Sequence, residues 1–155
     1  MIFDVSQDCK KVKSKNIFMD KREEQYNELS FYTLSHQDKS FIHQHIVDAQ
    51  GAQTADENTK PIRIIFSLVG LYLYVERGFT GKQVQQFHTE MVKNKRLWPK
   101  IVLPAKRGEI NVSDVLAVSP GAERDKMIRK WCETVWDAYK DSRASIVNLV
   151  EQFKI

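Results

Sequence analysis

Three of the four histidines, His36, His43 and His45, fall within ten residues of one another, and Asp48 follows the last of them. On a helix, residues three or four apart share a face, so His45 and Gln44 are each neighbours of Asp48, whereas His43 and His45 point apart. An imidazole beside a carboxylate can bind a divalent transition metal, or act as a base with its orienting partner. A complete site needs donors from other helices. Glu76 and His88 are the natural suppliers, as in bundles that build metal sites from facing helices.

The candidate polar cluster is therefore His45, Asp48, Glu76 and His88. Its structural alternative is a buried polar pair joined by His–Asp or Gln–Asp hydrogen bonds, which requires no cofactor. Spacing places only two of the ligands on one face, so no cofactor is the expectation and a divalent transition metal is the alternative. Glu76 closes an apolar helix and is expected to pair with Arg63, Arg77 or a histidine. Trp131, Trp136 and Tyr139 are candidate pocket aromatics. The tryptophans, five apart, point roughly 140° away from each other on a helix, which favours core packing. No phosphate-binding glycine loop, dinucleotide fingerprint, zinc-protease motif or nucleophile elbow is present.

These residues must be positioned by helices. Asp20 with Glu23 can open one that carries Tyr26, Leu29, Phe31, Tyr32 and Leu34. Ser40 can cap a second, which carries Phe41 to Ala52. Thr59, with Pro61 in the first turn, opens a third that ends at Gly78. Within it, Ile64 to Val75 is apolar except for Ser67 and Gly70, which predicts a buried central helix approached closely by a neighbour. Runs of about 10–14 apolar residues make core helices, and a bilayer needs about 20.

Thr80 and Gln83 form a capping box for a fourth helix. Leu97 to Val112, with Pro99, Pro104 and Gly108, reads as a long irregular connection pinned by Trp98, Ile101 and Leu103, with a short helix after it. A last helix starts at Ser119-Pro120, with a bend near Asp141-Ser142 or a projecting end as alternatives. The expected fold is all-α: an irregular bundle of about five main helices around the central one, with residues 1–19 as an arm and 20–155 as a single domain.

The 155 residues are 42% hydrophobic and 28% charged, the profile of a folded domain. The net charge of +4 gathers in Lys10–Arg22 and Lys93–Arg107, stretches that could attract phosphate weakly. No recognised docking module or aromatic interleaving accompanies them, so nucleic acid is not the expected partner. Cys9 and Cys132 match no metal or redox spacing, and the acid at Asp4 interrupts any signal-like apolar stretch. A cytoplasmic location without membrane attachment is expected.

A helix with Gln44, Val47-Asp48-Ala49 and Gln53, the run Leu71-Tyr72-Leu73-Tyr74-Val75-Glu76-Arg77-Gly78, the stretch Arg107 to Val115, and Arg129-Lys130-Trp131 with Val135-Trp136-Asp137-Ala138-Tyr139 occur here in order. In this combination the chain resembles a family of small, mostly helical bacterial proteins classed as a domain of unknown function, over about residues 26 to 150. Many members carry Tyr and His where this chain has Gln50 and Thr54. The resemblance implies helix order and a cytoplasmic setting, and no activity. The leading expectation is a binding or interaction protein for a small molecule or protein partner, with homodimerisation through the last helix. A metal-assisted enzyme and a weak nucleic-acid binder follow.

Overall fold

Pro61 fixes the first turn of the helix that organises the molecule, and Gly78 stops it by taking a left-handed conformation, φ 68°, that a side chain would disfavour. Between them, Ile64, Ile65, Ser67 to Leu71, Tyr72 and Leu73 are buried around the whole circumference. Such a helix can exist only with neighbours on every side.

The computed structural model describes residues 21–94 and 97–153; the 1–19 arm and the Asp20 cap lie outside them. Among the described residues there are seven α-helices and no strands. They are α1 (21–34), α2 (His43–Gln53), α3 (Pro61–Arg77), α4 (Gly81–Lys93), α5 (Val112–Ala117), α6 (Ala122–Ala138) and α7 (Arg143–Glu151), with a 3₁₀ turn at Lys140–Ser142. The fold is all-α. No described helix is long and apolar enough to cross a membrane.

The second helix shares the centre with α3, packing against α3, α4 and α6. Its buried positions include polar Gln44, His45 and Asp48 beside Ile46, Ala49 and Ala52. Close approach to α3 depends on two glycines. A methyl group on Gly51 would overlap Ser67 Oγ, and one on Gly70 would overlap the Asp48 carboxyl. Ser67 and Gly70 thus mark the near contact that their size predicts.

Helix α2 does not begin with Ser40 as its cap. Phe41 takes a left-handed conformation, φ 57°, and the Asp38 carboxylate accepts both the Ser40 hydroxyl and the Ile42 N–H, the latter at 3.2 Å. Similarly, Thr59 turns back to Asp56 and leaves Lys60 at the start of α3. The Thr80–Gln83 box forms as expected, and Asn111 with Asp114 builds a second one for α5.

The last helical stretch bends at the 3₁₀ turn, which lets α6 and α7 both lie on α3. The apolar stripe of α7 is consequently buried within the chain: Ile146, Leu149 and Val150 are almost fully enclosed. The irregular connection after α4 is held by half-buried Trp98, Ile101 and Leu103 and by Ser142 Oγ, which accepts the Val102 N–H at 3.1 Å. Arg107 donates to the carbonyls of Gln53, Ala55 and Pro104, tying this connection to the end of α2.

Candidate functional site

Asp48 is 2% exposed, and its carboxyl is enclosed between α2 and α3. Gln44 Nε2, one turn earlier, donates to Oδ1 at 3.1 Å, while Oδ2 has no partner. Burial pushes the carboxyl well above its usual range, against the smaller lowering by the Gln44 hydrogen bond. The Gln–Asp pair anticipated from the spacing is present, and it leaves one oxygen unsatisfied.

His45 turns to another face of α2. Its ring stacks on Tyr74, centroids 3.5 Å apart and planes 7° from parallel, and Arg129 lies over the Tyr74 ring at 5.0 Å. Burial, with a smaller contribution from the Arg129 charge, lowers its pKa to about 4, so the ring is neutral at physiological pH. Its Nδ1 is buried without a partner.

Glu76 lies six residues beyond Gly70 on α3, at the exposed end of the helix. It accepts from Trp136 Nε1 at 2.7 Å, from Arg143 Nε at 3.0 Å and from Arg143 Nη2. The Arg143 hydrogen bonds hold its carboxylate below the usual range. The ion pair expected for Glu76 is formed, with Arg143 in place of Arg63, Arg77 or a histidine.

His88, half-buried on α4, donates from Nε2 to the Phe66 carbonyl at 2.8 Å and stacks on the Phe66 ring, centroids 5.1 Å apart. Burial lowers its pKa. The neutral ring therefore carries its proton on Nε2 and keeps a lone pair on Nδ1.

The four-residue cluster is thus not assembled. His45, Glu76 and the Asp48–His88 side of the molecule have separate partners, and among the described residues no group of three His, Cys, Asp or Glu side chains could hold a metal ion. One-face spacing on α2 could not supply the convergence of α3 and α4 that a ligand set requires. The aromatic trio is likewise divided. Trp131 donates to Gln53 Oε1 at 3.0 Å and Tyr139 to the Ala52 carbonyl at 2.6 Å, both on α2, while Trp136 reaches Glu76 on α3. Trp131 and Tyr139 are core side chains, 0% and 1% exposed.

Asp48 and His88 do share a cleft. It lies between α2, α3 and α4, has a volume of about 480 Å³, and is bordered by Gln44, Ser67 and Thr54 as polar neighbours and by Val47, Phe66 and Val92 as apolar ones. Gln44, Ser67 and Phe66 were not singled out as site residues by sequence reasoning. The small-residue signal at Ser67 and Gly70 marked the place where α2 and α3 come together, and the cleft opens beside it.

The family model described as a family of unknown function, DUF5946, matches residues 21–140. The chain belongs to the DUF5946 family. No curated protein and no solved structure matches it. The DUF5946 match covers α1 to α6 and so includes every residue of the cleft. Of the positions where the resemblance expects Tyr and His, Thr54 borders both this DUF5946 cleft and a second depression between α1, α2 and the stretch around Arg107, and Gln50 borders the second alone.

Proposed function

We propose that this DUF5946 protein is a binding domain for a small molecule, held in the cleft between α2, α3 and α4. The observation that carries this reading is the cleft's make-up. A ligand pocket combines an apolar lining with a few polar groups that retain hydrogen-bonding capacity, in a volume of roughly 300–1,000 Å³. Here the apolar part is Val47, Ile62, Phe66 and Val92. The polar part is Gln44, whose amide oxygen is not used by its bond to Asp48, together with Ser67 and the His88 Nδ1 lone pair.

Neutral His88 and the enclosed carboxyl of Asp48 offer an acceptor and a group that can exist as acid or base, which suits recognition by hydrogen bonding. Cys132, buried and free, with its thiol held in the protonated form by burial, fits a reducing cytoplasm.

A fragment library screened against the ¹⁵N-labelled protein tests the reading. Binding fragments should shift the Gln44 side-chain amide and the backbone signals of Ser67 and His88. Val92→Trp, at a rim position 66% exposed, should narrow the entrance and weaken those fragments without altering the melting temperature. Fragments that gather instead in the polar depression around Gln50, Gln53 and Arg107 would refute it.

A further inference from the structure

We infer that the ligand of this cleft presents a protonated amine, or a similarly dense set of hydrogen-bond donors, to the wall formed by Gln44, Asp48, Ser67 and His88. The inference rests on the binding reading above and specifies the chemistry of its ligand.

The first ground is the polarity of the wall. Gln44 gives its N–H to Asp48 and keeps Oε1, and His88 gives its N–H to Phe66 and keeps Nδ1. Ser67 adds a hydroxyl that can accept. Three side chains on three helices, each with an oxygen or nitrogen lone pair to give, thus border one space. A ligand rich in acceptors would face them lone pair to lone pair.

The second ground is Asp48 itself. A carboxyl taken out of water needs a hydrogen bond to each oxygen, or a counter-charge. Oδ1 has Gln44, whereas Oδ2 is buried and unpartnered, and no Lys, Arg or His among the described residues forms an ion pair with it. Burial drives the group toward its neutral form. A cation brought into the cleft supplies the missing counter-charge, and through a medium of low dielectric it need not touch Oδ2 to favour ionisation. The stacked Phe66 and His88 rings, both bordering the cleft, add aromatic surface of the kind that attracts ammonium groups. Arg63 opposes this charge preference, but it stands exposed at the rim, where water screens it.

Benzylamine, benzyl alcohol and benzoate share one apolar body and differ in the head group, so titrating each into the ¹⁵N-labelled full chain at neutral pH separates charge from shape. Benzylamine should shift Gln44, Ser67 and His88 and bind at least about tenfold more tightly than benzyl alcohol. Asp48→Asn, which preserves shape and the acceptor for Gln44, should abolish that preference by weakening benzylamine binding. Gln44→Met, which keeps the Asp48 carboxyl but removes one acceptor of the wall and the hydrogen bond to Asp48 Oδ1, should reduce the preference in part and serves if Asp48→Asn fails to fold.

Benzoate or benzyl alcohol binding in the cleft as tightly as benzylamine would overturn the inference and leave the binding reading standing. Retention of the full amine preference by both variants would overturn it as well. If none of the three probes moves a cleft signal, both the inference and the reading it rests on fall.

Discussion

Burial acts on His45 and Asp48 in opposite senses on the protonation scale, because in each it disfavours the charged form. His45 titrates near 4 in the folded chain and near 6.5 when free, so between those values the unfolded chain binds a proton that the folded chain does not. The stabilisation is complete above the free value and is lost as pH falls toward 4, by up to about 3 kcal/mol. His45→Phe retains a ring to stack on Tyr74 and cannot titrate; urea unfolding of this variant should lose less stability between pH 7 and pH 4.5 than the parent does. Parallel pH profiles for the two proteins would show that His45 does not carry the acid limb. At this scale local spacing was informative and long-range pairing was not. The Gln44–Asp48 bond follows from a separation of four residues on one helix, whereas the partner of Glu76, Arg143, is 67 residues away and faces it only because α7 folds back along α3.

Among the helices, the junction of α2 and α3 is the most constrained. Alanine in a helix interior is ordinarily favoured over glycine by about 1 kcal/mol. Gly70 should reverse that sign, since the new methyl group would overlap the buried Asp48 carboxyl. Gly70→Ala is expected to destabilise the parent by about 1–3 kcal/mol and to be neutral or stabilising in an Asp48→Ala background. Chemical denaturation of the four proteins of the cycle measures the coupling, and simple additivity would mean that the two positions do not compete for the same space. Element boundaries were legible where one residue determines the outcome, as with Gly78 and the Thr80–Gln83 box. They were misread at Ser40 and Thr59, where Asp38 and Asp56 a few residues upstream compete for the same hydroxyls and N–H groups. The cleft was beyond such reading, because its walls come from three helices whose relative rotation depends on glycine contacts rather than on periodicity.

For the whole molecule, the all-α class and the buried run on α3 follow from composition and period, while the second central helix does not. Helix α2 mixes Gln44, His45 and Asp48 with alanines, and its central place is visible only once α3, α4 and α6 surround it. The connection between α4 and α5 also has a meaning beyond its length. It separates a piece holding α1 to α4 from a piece holding α5 to α7, and these meet through Trp131 on Gln53, Tyr139 on Ala52, Arg143 on Glu76 and the strap of Arg107. Leu97, 96% exposed at the start of that connection, lies outside all of this packing. Continuity of the backbone there only keeps the two pieces at high effective concentration. Residues 1–97 and 98–155, produced as separate polypeptides, should therefore find each other and rebuild the helical spectrum of the intact chain, whereas fragments that stay apart at micromolar concentration would show that the tether is needed. The protein would then be, in effect, a heterodimer joined by a leash, open at that connection to splitting into a complementing reporter.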